Sequence, residues 1–122
     1  MLVSVEKSES VLGFYSLSAT SIDVDILPSD IRKKLPRYPT PMARLSRLAV
    51  DKSMQGKGLG EFLLTDSLQR CVTIAKEMGL FSVLVDAKHE KAKAFYQRYG
   101  FRELVNHPLT LFLPIKTIIT SL

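Results

Sequence analysis

Apolar residues recur at helical spacing through Leu59, Phe62, Leu63, Leu68, Cys71, Val72, Ala75 and Met78, predicting one long helix that opens at Gly58 and stops at Gly79. Ahead of it, residues 45–50 read as a strand and 51–57 as a loop. Residues 11–17 alternate between two faces and read as another strand; residues 1–5 read as a further one, set off by a polar turn at 6–10. Residues 20–26 continue as an extended segment, and Pro28-Ser29-Asp30 starts a short helix to about residue 35 with Ser29 as its N-cap. Pro36, Pro39 and Pro41 make residues 35–41 a stiff, irregular connection carrying Arg37 and Tyr38. Past the long helix, 81–86 is a short apolar run of the kind a buried strand shows. Lys88 or His89 opens a second helix over 90–99, closed by Gly100, and strands at 101–104 and 109–115 follow, joined by the turn Asn106-His107-Pro108. Strand, helix, strand, helix, strand over this half implies a partly parallel sheet with crossover helices.

The 122 residues suffice for one domain with a real core, and no apolar run approaches the roughly 20 residues of a membrane span. The first residues, Met1-Leu2-Val3-Ser4-Val5-Glu6, lack the basic flank and cleavage site of a signal peptide. Cys71, the single cysteine, lies on the apolar helix face and reads as core, which points to a cytoplasmic setting. Charge changes the picture more. Arg32, Lys33, Lys34, Arg37, Arg44, Arg47, Lys52 and Lys57 stand against only Asp30 and Asp51, a local excess larger than the chain's net charge of +5. Such a surface suits phosphates, RNA or an acidic partner, or is a solvated basic face.

The strand before the long helix runs into Gln55-Gly56-Lys57-Gly58-Leu59-Gly60. Glycines let backbone approach a ligand, and the first N–H groups of a helix are unpaired donors at its positive end. With Lys52 and Lys57 nearby, the stretch reads as a pyrophosphate cradle. The spacing of Gly56, Gly58 and Gly60 is not that of a dinucleotide fold, and Gly56-Lys57 lacks the Ser or Thr of a Walker loop.

What the stretch resembles is the acyl-CoA signature of the GNAT N-acetyltransferase superfamily, Gln/Arg-x-x-Gly-x-Gly/Ala, with Leu48-Ala49-Val50 before it and Leu63-Leu64 after it in keeping. A second motif, Ala92-Lys93-Ala94-Phe95-Tyr96-Gln97-Arg98-Tyr99-Gly100-Phe101, is similar to the family's Asn-x-x-Ala-x-x-Phe-Tyr-x-x-x-Gly-Phe, with His89 in place of the leading Asn. The resemblance implies an α/β (α+β) fold with a mixed, mostly antiparallel sheet, a central splayed strand pair and flanking helices. It implies acetyl-CoA as co-substrate, no metal, and a cofactor site at Leu48, Ala49, Val50, Gln55, Gly56, Lys57, Gly58, Leu59, Gly60, His89 and Phe95. The backbone of residues 48–50 would lie along the pantetheine arm and offer an amide to the oxyanion. Phe95 and Tyr96 sit about 100° apart on a helix, so one can face the core and the other the cofactor. The resemblance implies that Tyr96 acts as general acid toward the departing thiolate. Asp86, His89 and Glu103 are the candidate bases, none marked out by more than proximity to a motif. Without a dedicated base, an α-amine suits better than a lysine, since roughly a quarter of an α-amine is free near neutral pH and about a thousandth of a lysine.

Within the superfamily the chain looks most like the toxins paired with ribbon-helix-helix antitoxins, through Gly13-Phe14-Tyr15-Ser16-Leu17-Ser18, Leu35-Pro36-Arg37-Tyr38-Pro39-Thr40-Pro41, Arg44 to Val50, Val85-Asp86-Ala87 and Leu111-Phe112-Leu113-Pro114. That resemblance implies acetylation of the α-amine of aminoacyl-tRNA, RNA contacts from Arg37, Arg44 and Arg47, an antitoxin partner, no membrane, and a homodimer. The alternatives are a small amine or protein N-terminus as acceptor, or a non-catalytic CoA- or partner-binding relative. Members of the branch carry a first strand and two helices ahead of the segment matching Gly13, where this chain has twelve residues, so an N-terminally short domain is expected.

Overall fold

The structure, a computed structural model, describes residues 1–7 and 10–121. In chain order the strands are β1 (Leu2–Lys7), β2 (Ser10–Ile22), β3 (Thr40–Val50), β4 (Ser82–Asp86), β5 (Arg102–Leu104) and β6 (His107–Pro114). The helices are α1 (Ser29–Arg32), α2 (Leu59–Met78), α3 (Glu90–Gln97) and α4 (Ile115–Ser121). The strands form one open sheet in the order β1-β2-β3-β4-β6-β5. Among the described residues only β3 and β4 pair in parallel, through the α2 crossover; the other pairings are antiparallel. The mixed, mostly antiparallel sheet implied by the resemblance is therefore the one observed.

The central pair comes apart. β3 and β4 pair only from Met42 with Ser82 to Leu45 with Val85, and β3 then runs on to Val50 alone on that side. A bulge marks the parting: Phe14 faces Ala49 and Ser16 faces Ser46, so Tyr15 is opposed by both Arg47 and Leu48, and Arg47 adopts φ +57°. The extra residue twists the end of β3 away from β4 and opens a cleft at the carboxyl ends of the two strands.

Alternation along the strands builds two cores. On one face Tyr15, Leu17, Ala43, Leu45, Val83, Val85, Leu111 and Leu113 meet α2, α3 and α4. Leu63, Leu64 and Cys71 of α2 are buried there, each apolar side chain contributing about 1.5–3 kcal/mol of burial. On the other face Met42, Leu84, Leu104 and Phe112 meet Val24 and Leu27. Gly13 lets α2 lie close: a Cβ there would stand 2.9 Å from Leu63 and 3.1 Å from the Ala49 carbonyl oxygen.

Several predicted boundaries are corrected. β3 begins at Thr40, so Thr40 and Pro41 belong to a strand and not to the irregular connection. The extended segment after β2 stops at Ile22 and gives way to a 3-10 turn, Val24–Ile26, capped by Asp23. α1 ends at Arg32, and Pro28 rather than Ser29 occupies its cap, with no side-chain cap bond. The predicted turn at 6–10 is strand at Glu6, Lys7 and Ser10, while residues 8 and 9 lie outside the described residues. Phe62 and Met78, read as part of the apolar stripe, are 57% and 62% exposed. α3 stops at Gln97, not residue 99. The last turn sits at Val105-Asn106, with Asn106 at φ +62°, so β6 starts at His107; it ends at Pro114, one residue before the predicted strand end, and α4 follows where no element is predicted beyond Ile115.

Candidate functional site

The cleft lies where the loop after β3, the first turn of α2 and the last turns of α3 converge, with a volume of about 340 Å³. Asp51 starts the loop: its carboxylate accepts from the Ser53 N–H at 3.0 Å and the Ser53 hydroxyl at 2.5 Å, which holds its pKa below the ordinary carboxylate value. The Gln55 side-chain amide donates to the Val50 carbonyl at 3.3 Å and folds the loop back on the strand. Gly56 and Gly58 take φ +79° and +83°, a region that costs other L-residues about 1–2 kcal/mol. Gly58 then stands as the N-cap of α2 with no side-chain cap bond, and its carbonyl accepts from the Phe62 N–H at 3.0 Å. Among the described residues no partner meets the N–H groups of Leu59, Gly60 and Glu61. Three donors at the positive end of a 20-residue helix thus face an open cleft, the geometry of an anion site.

Across the cleft stands α3. Phe95 lines it, and its ring packs edge-on against Tyr99 at 5.3 Å and Tyr96 at 5.4 Å. Tyr96 turns the other way, into the core, with its ring 5.5 Å from Phe101. Burial raises its phenol pKa. No side-chain hydrogen bond involves its hydroxyl, yet no buried side-chain polar atom among the described residues lacks a partner. The residue as a whole is 8% exposed. A buried phenol of raised pKa is protonated at neutral pH and available as a donor.

Of the predicted cofactor residues, Val50, Gln55, Gly56, Gly58, Leu59, Gly60 and Phe95 line one cleft. Leu48, Ala49, Lys57 and His89 do not line it. His89 is instead the N-cap of α3, its Nδ1 accepting from the Ala92 N–H at 3.1 Å. The ring nitrogen thus gives the first turn of α3 a side-chain acceptor. Met54, Glu61, Arg98 and Tyr99 line the cleft and were missed. Arg98 and Tyr99 fall on positions the second motif leaves free, so only the helical geometry reveals them; the Arg98 guanidinium lies 5.8 Å from the Phe95 ring centre.

None of the three candidate bases lines the cleft. Asp86 is ion-paired with Arg44 and also accepts from the Thr110 hydroxyl at 3.2 Å. Glu103 pairs with Lys93. Of the predicted RNA contacts, Arg44 is thus engaged with Asp86, while Arg37 and Arg47 are exposed and carry no ion pair among the described residues. No group of three His, Cys, Asp or Glu side chains stands in position to hold a metal among the described residues. Among the described residues no helix is long and apolar enough to cross a membrane.

Comparison with known proteins agrees with this geometry. The model of the acetyltransferase (GNAT) domain matches residues 35–109. A tRNA-acetylating toxin of Mycobacterium tuberculosis is 43% identical over 106 residues, 87% of this chain and 63% of the relative. A probable toxin TacT of Sinorhizobium fredii is 35% identical over 125 residues, 96% of this chain and 69% of the relative. The chain thus spans less than two thirds of the first relative's own length. Among solved structures, a tyrosine-to-phenylalanine mutant of KacT superposes with a TM-score of 0.86 at 39% identity, covering 92% of this chain and 67% of that one. AtaT complexed with acetyl-methionyl-tRNAfMet gives 0.85 at 34% identity, with 91% and 66% covered. AtaTR bound with acetyl-CoA gives 0.77 at 35% identity, with 91% and 66% covered. With its family model, its fold and its glycine-rich cleft in agreement, the chain belongs to the GNAT acetyltransferase family.

Proposed function

We propose that the chain is an acetyl-CoA-dependent N-acetyltransferase of toxin type, acting on the α-amine of aminoacyl-tRNA. The observation that carries the reading is the cleft itself: unpaired N–H groups at the start of α2 facing Phe95 of α3, beside a splayed β3–β4 pair. The diphosphate of acetyl-CoA would sit on Gly56, Gly58 and Gly60, with its acyl arm along residues 48–50. The amine nitrogen attacks the thioester carbonyl, the C–N bond forms, the C–S bond breaks and the amine's spare proton leaves to solvent. A backbone N–H near Leu48 stabilises the oxyanion. Tyr96 hydrogen-bonds the sulfur as charge develops and gives it a proton; burial keeps the phenol in its donating form. Engagement of Asp86, His89 and Glu103 in other contacts fits an acceptor that needs no dedicated base, as an α-amine does.

The same reading gives Arg37 and Arg47 to RNA phosphates, with Arg44 released only at the cost of its ion pair. It also includes a ribbon-helix-helix antitoxin, a cytoplasmic site of action and a homodimer.

The test is transfer of labelled acetyl from acetyl-CoA to a pool of aminoacylated tRNA. Tyr96→Phe is expected to lower turnover by about 10²–10⁴-fold while acetyl-CoA still binds. No labelled aminoacyl group with the parent chain, in a preparation that binds acetyl-CoA, would sink the RNA acceptor; unchanged turnover in Tyr96→Phe would remove that residue from the chemistry.

A further inference from the structure

The fork between β3 and β4 has two faces. Alternation along the strands sends Leu45 and Val85 to the side where Leu59 and Phe95 line the glycine-rich cleft. Met42, Leu84 and Phe112 point to the other side. Arg44, Asp86 and Thr110 each stand two residues from one of these and share that second face. Pairing of β3 with β4 ends at Leu45 and Val85, so Asp86 is the first residue of β4 past the last pair, at the apex of the fork.

Both strands beside β4 hold the Asp86 carboxylate. The Arg44 guanidinium of β3 donates to its Oδ2, and the Thr110 hydroxyl of β6 donates to its Oδ1 at 3.2 Å. Donors from opposite sides fix the direction of the carboxylate without using it up. An ionised carboxylate has about four acceptor positions, so about two are left. The Asp86 side chain keeps 51% of its surface exposed, against 37% for Arg44. A carboxylate held in one orientation and open to solvent is a receptor for a compact cation, which it meets with a charge-assisted hydrogen bond.

The α2–α3 side of the fork is taken by the cleft, so an acceptor comes to it from the second face. Were pairing to go on, Ser46 would stand opposite Asp86. Leu48, whose N–H serves the oxyanion in the proposed chemistry, lies two residues beyond, roughly 7 Å along β3. One hydrogen bond from the carboxylate and one attacking nitrogen cover a separation of that order. We infer that Asp86 anchors the acceptor's amine: its carboxylate takes the amine as ammonium on the face opposite the cofactor, while Arg44 and Thr110 hold that carboxylate in place. Near neutral pH roughly three quarters of an α-amine is ammonium, the form such an anchor selects. Asp86 takes no proton. One proton passes from the ammonium to solvent, and the neutral nitrogen, which still carries N–H donors, keeps its bond to Asp86 as it attacks. This rests on the aminoacyl acceptor proposed above.

The experiment uses a pair of RNA hairpins that differ by one amine, ending in a 3′-alanylamido or a 3′-propionylamido group. The amide link resists hydrolysis, and unacylated CoA in place of acetyl-CoA prevents transfer. Binding to the CoA-loaded chain is followed by anisotropy. The parent chain is expected to hold the amine-bearing hairpin about tenfold more tightly, and Asp86→Asn to bring the pair to within about twofold. Arg44→Ala breaks the same ion pair but leaves the carboxylate and its bond from Thr110, so most of the preference should remain. CoA affinity and thermal midpoint, matched across the three chains, exclude a folding effect. Equal binding of the two hairpins by the parent, a preference that survives Asp86→Asn, or the same loss in Asp86→Asn and Arg44→Ala would overturn the anchor alone. Binding of neither hairpin would remove the RNA acceptor itself, and the anchor with it.

Discussion

At Arg47 backbone stability and the proposed RNA contact pull apart. The residue holds φ +57° at the bulge that opens the cleft, a conformation that costs an L-residue about 1–2 kcal/mol, and its side chain is exposed. A glycine would relieve the backbone and delete the charge at once, whereas an alanine would delete the charge alone. We therefore expect Arg47→Gly to be more stable than Arg47→Ala by about 1 kcal/mol in urea unfolding, with equal losses in RNA affinity. Equal stability of the two would mean that the bulge relaxes when the arginine is removed. Nothing in the sequence announced this site: the run Leu45-Ser46-Arg47-Leu48 reads as plain strand, and the bulge arises from register with β2. His89 is the converse. Its type and its place three residues before Ala92 made a helix opening legible, but resemblance gave it to the cofactor when its ring nitrogen caps α3.

At the scale of elements, a polar cluster joins β2 to α2 at the edge of the apolar layer. The Tyr15 hydroxyl donates to Asp66 at 2.5 Å, and Arg70 Nε donates to the same oxygen at 3.1 Å. Asp66 is held below its ordinary pKa first by Tyr15 and then by Arg70; Tyr15 is raised, chiefly by burial and then by Asp66. The lowered carboxylate contributes stability that is fully present above the unfolded value of 3.8 and is lost as pH falls through the folded value. The raised phenol contributes stability present below the unfolded value of 10.0 and lost as pH rises beyond it. Tyr15→Phe should accordingly flatten the fall in unfolding free energy at both extremes, measured by urea titration near pH 3, 7 and 10.5. A loss of the same size at all three would show that the hydrogen bond has no part in the pH dependence. The elements themselves were readable where one face is buried: the long helix, β4 and the start of α3 follow from periodicity and glycine stops. α4 was not: the predicted strand ends at Ile115 and leaves residues 116–121 unassigned, and it is burial of Ile115 and Ile118 beside α2 that makes a helix there.

For the whole molecule, the two cores on opposite faces make α2 the member whose detachment would expose most of one core and dismantle the cleft. Cys71 reports on that event. It is fully enclosed beneath α2, and burial pushes its thiol pKa up to about 11. A thiol reagent near neutral pH therefore meets neither an exposed sulfur nor an appreciable thiolate until α2 opens. Because the first turn of α2 forms the floor of the cleft, a ligand bound there must be lost before that helix can leave the sheet. Acetyl-CoA at about a hundredfold above its Kd should thus slow Cys71 modification about a hundredfold, under conditions where reclosing outpaces labelling. Desulfo or unacylated CoA should protect in proportion to its own affinity, since in the proposed binding mode the diphosphate and not the acetyl group meets the helix. Labelling that ignores acetyl-CoA would separate the two ends of α2, with Cys71 released by fraying from Gly79 while the cleft stays closed. Hydrogen exchange along α2 distinguishes these outcomes: one common rate marks a single cooperative unit, and a gradient rising toward Met78 marks fraying.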